Sequence, residues 1–138
     1  MAAKYVLDSC ALLAYVYQEI GDDVVKLVLE QADVGHIQVY MNKLNLLEVY
    51  YDIRRSEGFK QAEKLYNMVQ KSPVNIIDGI SDPVFREAAR LKSQYRMSLA
   101  DSIALGETSV LEASILTSDH HEFDLVEQSE AIKFAWIR

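Results

Sequence analysis

Lys4-Tyr5-Val6-Leu7-Asp8-Ser9 sets a short β-favouring run directly against an acid, and the residues that follow, Cys10 to about Glu19, change to helical spacing. A run that short is a strand, and an acid where strand turns into helix stands at the end of the sheet where α/β proteins bind ligands. Four further apolar runs repeat the theme: His36 to Met41, Val74 to Ile77, Ser114 to Thr117 and Ile132 to Ile137. Between them the spacing predicts helices over roughly 10–19, 22–34, 43–57, 59–71, 82–95, 99–112 and 120–129. Asn42 precedes the third helix, Asp82-Pro83 offers a cap before a proline in the first turn, and Ser98 precedes Leu99, all recognised start signals. Strands separated by helices need crossover connections, which implies an α/β fold whose central sheet of five strands is mostly parallel and covered on both faces.

The chain has 138 residues, half of them hydrophobic, with two prolines, five glycines and no Gly/Ser-rich linker or internal repeat. Such a length buries roughly two-thirds of its unfolded surface, so one domain spanning 1–138 is expected, without disulfides or structural metals. Cys10 is the only cysteine, which excludes an internal disulfide and a Cys-rich zinc module and suits a reducing compartment. No apolar run has the length of a signal peptide or a membrane span, so a soluble, cytoplasmic protein is expected, with no membrane contact. Fourteen Lys and Arg against 21 Asp and Glu give a net charge of -7, the wrong sign for a protein that coats nucleic acid by counterion release.

Four acids could carry chemistry. Asp8 follows the first strand and Asp119 the fourth; if those strands are neighbours, both carboxylates face one crevice. Each has a structural alternative, since Asp8 can cap the next helix and Asp119-His120-His121-Glu122 fits a capping box. Asp101, three residues after Ser98, could merely favour the positive end of a helix dipole. Glu48 flanks an apolar stripe in Leu44 to Tyr51 and needs a partner, either Arg55 or a metal. Two carboxylates about 4 Å apart repel by roughly 4 kcal/mol at an effective dielectric near 20, so a cluster of four requires bound protons or a cation.

Taken jointly, Val6-Leu7-Asp8-Ser9, Asn45-Leu46-Leu47-Glu48, Leu99-Ala100-Asp101-Ser102-Ile103-Ala104 and Leu116-Thr117-Ser118-Asp119-His120-His121-Glu122-Phe123 resemble the PIN-domain ribonucleases, most of all the toxin-like members called VapC. The resemblance runs through nearly the whole chain in the family's order. It implies a three-layer α/β/α sandwich and a Mg²⁺- or Mn²⁺-dependent endoribonuclease site. Asp8, Glu48, Asp101 and Asp119 would be its acidic quartet and metal ligands, and Ser9 and Thr117 its supporting residues. It further implies an RNA substrate, a cognate antitoxin whose tail covers the cleft, and a homodimer. Two positions depart from the family: Cys10 stands where many relatives have Asn or Ser, and His121 where many have an acid.

An all-oxygen donor set agrees with Mg²⁺ or Mn²⁺ over zinc. His120 and His121 lack the i, i+4 spacing of helical metal ligands, and Cys10 reads either as a reactive thiol or as a small packing residue. Tyr15, Tyr17, Tyr50 and Tyr51 could stack on bases or pack surfaces. Arg54, Arg55, Lys60, Lys64, Arg86, Arg90, Lys92 and Arg96 form no dense basic run. Two other readings are compatible with an acid after strand one. An aspartyl phosphatase would need a second acid at position 10, where this chain has cysteine, and a PIN-like module could bind RNA or protein without turnover.

Overall fold

A computed structural model describes residues 2–138. The chain runs β1 (Ala3–Leu7), α1 (Ser9–Val16), α2 (Asp22–Asp33), β2 (Ile37–Asn42), α3 (Lys43–Glu57), α4 (Phe59–Lys71), β3 (Val74–Ile77), α5 (Asp82–Gln94), α6 (Leu99–Leu111), β4 (Ser114–Thr117), α7 (His120–Ser129) and β5 (Lys133–Trp136). The strands form one sheet in the order β3-β2-β1-β4-β5, and every pairing is parallel. Strand order therefore reverses between β1 and β4, which are neighbours through the pairs Tyr5 with Ser114, Val6 with Ile115 and Leu7 with Leu116.

Alternation along the strands divides the core in two. Leu7, Val39, Met41 and Leu116 point to one face and pack against Leu12 of α1, Val25 of α2, Leu46 and Val49 of α3 and Leu65 of α4. Ile115 points to the other face, where Leu91 of α5, Ala104 and Leu105 of α6 and Phe123 and Val126 of α7 close over it. These two helical layers around the sheet make the three-layer α/β/α sandwich, because a parallel sheet needs both faces covered.

Several boundaries differ from the sequence reading. Asp8 lies outside β1, at the cap of α1, and α1 stops at Val16 because Gln18 turns left-handed at φ 55°. The cap of α5 is Ser81, not Asp82: the serine Oγ accepts from Val84 N at 3.4 Å, leaving Asp82 and Pro83 in the first turn. Gly21 enters α2 at φ 102°, and a Cβ there would lie 2.6 Å from the Ile137 carbonyl oxygen, so only glycine allows the chain's last residues to lie against this turn.

Candidate active site

The four acids arrive on four elements that converge at the carboxyl ends of β1 and β4. Asp8, 3% exposed, is the N-cap of α1: its Oδ1 accepts from Ala11 N at 2.8 Å. Asp119 plays the same part for α7, with Oδ1 accepting from Glu122 N at 3.2 Å. Its capping box is only half formed, because the Asp119 backbone N–H donates to the Thr117 hydroxyl at 3.1 Å rather than to Glu122. Asp101 sits in the first turn of α6, where its own N–H donates to Ser98 Oγ at 3.0 Å. Glu48, half-buried on α3, accepts from the Ser9 hydroxyl at 2.5 Å. Arg55, the alternative partner expected for Glu48, instead lies 3.2 Å from Asp52.

Each cap bond uses one carboxylate oxygen, Oδ1. Among the described residues no Lys, Arg or His forms an ion pair with any of the four acids. The charge is therefore carried without a protein counter-ion, and its cost is visible in the protonation equilibria. Burial pushes the Asp8 carboxyl up to about 7, opposed by the Thr117 hydroxyl and the Ala11 N–H, with Asp101 and Asp119 adding repulsion. Burial likewise raises Asp101 to about 6, opposed by Ser98 and reinforced by Asp119 and Glu48. The mutual repulsions make one electrostatic cluster of Asp8, Asp101 and Asp119, with Glu48 joined through Asp101.

Thr117 is fully buried between two of these acids. Its hydroxyl accepts from the Asp119 N–H and lies near enough to the Asp8 carboxyl to hold its pKa down. That arrangement fixes the Asp8 rotamer and the turn that carries Asp119.

The donor chemistry fits a hard divalent cation. All the available atoms are carboxylate or hydroxyl oxygens, the class that Mg²⁺ and Mn²⁺ prefer. Among the described residues no three His, Cys, Asp or Glu side chains are closed up as a preformed ligand group. Magnesium commonly takes one or two carboxylates directly and keeps its waters, so a looser cluster suffices for it. The Cys10 thiol is pushed up to about 12 by burial and by Asp8, Asp119 and Asp101, so it is a neutral packing group rather than a nucleophile or an acid.

Two asparagines belong to the site's support, Asn45, for which no role had been read in the sequence, and Asn42, read there only as a helix start. Asn45, fully buried, donates from Nδ2 to the Ala100 carbonyl at 3.0 Å, tying the turn of α3 that carries Glu48 to the residue before Asp101. Its buried Oδ1 finds no hydrogen-bond partner among the described residues. Asn42 caps α3 through Leu44 N at 2.9 Å, while its Nδ2 donates to Glu107 Oε2 at 2.8 Å and to the Gly79 carbonyl at 3.0 Å. Glu107 on α6 is buried, which raises its pKa against the opposing bond from Asn42. Spacing offered one clue: Asn45 lies one helical turn before Glu48 and so shares its face. Glu107 lies 65 residues from Asn42, and only the fold brings them together.

The PIN domain family model matches residues 5–128. Among solved structures, VapBC2 of Rickettsia felis, bound to a promoter DNA fragment, superposes with a TM-score of 0.75 at 13% identity, covering 96% of this chain and 98% of that one. VapBC-1 of nontypeable Haemophilus influenzae gives 0.70 at 15% identity over 97% and 98%. VapC20 of Mycobacterium tuberculosis, described as a sarcin-ricin loop cleaving toxin, gives 0.65 at 11% over 92% and 95%. No curated protein sequence matches. Likenesses at such identities bear on the fold, and the family match covers most of the chain: the protein belongs to the PIN domain family.

Proposed function

We propose that this protein is an endoribonuclease dependent on Mg²⁺ or Mn²⁺, and that it acts as the toxin of a toxin-antitoxin pair in the cytoplasm. The observation that carries the reading is the convergence of Asp8, Asp101 and Asp119, with Glu48 beside them, at the reversal point of the sheet without any basic partner among the described residues. A buried cluster of like charge is relieved by bound protons or by a cation, and a divalent ion would supply that charge here.

Asp8 and Asp101 would hold the ion directly, and Asp119 directly or through water. Such an ion supplies positive charge to a scissile phosphate and acidifies an attacking water. Glu48, aligned by the Ser9 hydroxyl, would orient that water for in-line attack, and Thr117 would keep Asp8 and Asp119 in register. No protein nucleophile is needed, and the neutral Cys10 thiol offers none.

A similar solved structure from Klebsiella pneumoniae is described as a toxin-antitoxin complex, which supports an antitoxin partner here. A cleft of about 650 Å³ lined by Tyr15, Tyr17, Lys26, Ile53, Lys64 and Met68 would take an apolar segment of that partner. Exposed Leu47, Tyr51 and Phe59 on α3 and α4 offer apolar surface for a homodimer. Among the described residues no helix is long and apolar enough to cross a membrane.

A cleavage assay on structured RNAs tests the reading. Loss of cleavage on adding chelator, its return with Mg²⁺ or Mn²⁺, and its absence in folded Asp8→Asn and Asp101→Asn variants are expected. Undiminished cleavage by both variants would reject it.

A further inference from the structure

An aromatic column stands beside the acids that the nuclease reading does not use. Trp136 of β5 pairs in register with Thr117 of β4, so its indole emerges at the carboxyl end of the sheet, one strand spacing of about 5 Å from the residue that bridges Asp8 and Asp119. Phe134 stacks on it with centroids 5.3 Å apart and planes 15° apart. On Trp136 lies His120, the residue after Asp119, at 3.7 Å and 13°.

The column is pinned at its edges. His120 Nδ1 lies 2.8 Å from Asp124 Oδ1, and Nε2 lies 2.9 Å from the backbone oxygen of Arg138. The Trp136 Nε1–H donates to Glu127 Oε2 at 3.0 Å. Neither ring can rotate without giving up a hydrogen bond. With one face on Trp136 and both nitrogens engaged, the His120 side chain is still 48% exposed. A stack that served only to fasten β5 to α7 would gain from burying both faces.

The geometry points to a nucleobase-stacking subsite on the outer face of His120, which takes an unpaired base of the RNA strand next to the phosphate held at the acidic cluster. This rests on the nuclease reading for its position. Stacking suits this chain, because a π-face binds any base without calling on positive charge, and a molecule of net charge -7 with no basic run has little attraction for the RNA backbone. One base on one aromatic face is worth about 5- to 150-fold in affinity. A face already fixed loses little freedom on binding.

Trp136 is the chain's only tryptophan, so its emission reports on the column alone. The protein is titrated with a six-nucleotide oligoadenylate, and separately with the same oligomer lacking all bases, with Ca²⁺ in place of Mg²⁺ to suppress hydrolysis. Oligoadenylate is expected to alter Trp136 emission and to bind about 5- to 150-fold tighter than the abasic oligomer. His120→Ala should erase that preference, and His120→Phe, which keeps an aromatic face, should restore it. Equal binding of the two oligomers by the unsubstituted protein, or a preference for bases that survives His120→Ala, overturns the subsite. A preference for bases in a protein that cleaves no RNA leaves the subsite standing and refutes the nuclease reading, whereas metal-dependent cleavage without that preference does the reverse.

Discussion

Asp8→Asn should make the metal-free protein more stable, which is the reverse of what most buried substitutions do. The folded carboxyl titrates at about 7 against an ordinary 3.8, so the folded state binds this proton more tightly than the unfolded chain. Asp8's contribution is therefore fully present below about pH 4 and is lost as pH rises through 7. Three units at about 1.4 kcal/mol each amount to roughly 4 kcal/mol of destabilisation once the group is fully ionised. Asparagine removes that charge while its Oδ1 still accepts from Ala11 N, weakening a charge-assisted bond by about 1 kcal/mol. A net gain of about 3 kcal/mol remains, or roughly 6 to 10 °C in Tm for a domain of this size. Thermal unfolding at pH 8 in chelator measures it. With saturating Mn²⁺ the order should invert, because the ion stabilises only a fold that can hold it. An Asp8→Asn protein that melts at or below the unsubstituted protein in chelator would refute the reasoning.

Three other substitutions or reactions probe the surroundings. Thr117→Val removes the hydroxyl shared by Asp8 and Asp119 and should weaken Mn²⁺ binding about 10- to 100-fold by calorimetry while the fold persists in circular dichroism. Asn42→Leu leaves the Glu107 carboxylate buried without its donor and should cost about 1 to 3 kcal/mol in urea unfolding on top of the lost α3 cap and Gly79 bond, and Glu107→Leu added to it should recover only the part due to the carboxylate. Cys10, with its thiol at about 12, should resist iodoacetamide at pH 8 in the folded protein and react only after denaturation.

The sheet was legible because each strand is a short apolar run and each crossover a helical stretch, so chain order alone carried the α/β class. Neighbourhood of β1 and β4 was legible only as a condition, since strand order depends on which crossovers jump. Asp8 shows why the cap reading does not exclude the proposed site: one oxygen satisfies a helix N–H, while the carboxyl still feels the repulsion of Asp101 and Asp119. Glu48 was expected to need a partner, but the partner is Ser9, 39 residues away and visible only after folding. Asn45 and Glu107 went unread for the same reason, as polar residues in apolar helices whose meaning lies in the α3–α6 and β2–α6 contacts. His120 was weighed as a metal ligand, yet its ring nitrogens are both occupied, by Asp124 and the Arg138 backbone.

A crystal soaked in Mn²⁺ and measured for anomalous scattering tests the central claim most directly. The account predicts a peak about 2 Å from carboxylate oxygens of Asp8 and Asp101, with Asp119 in reach directly or through water. No peak at the carboxyl ends of β1 and β4, or one bound by other residues, would contradict it.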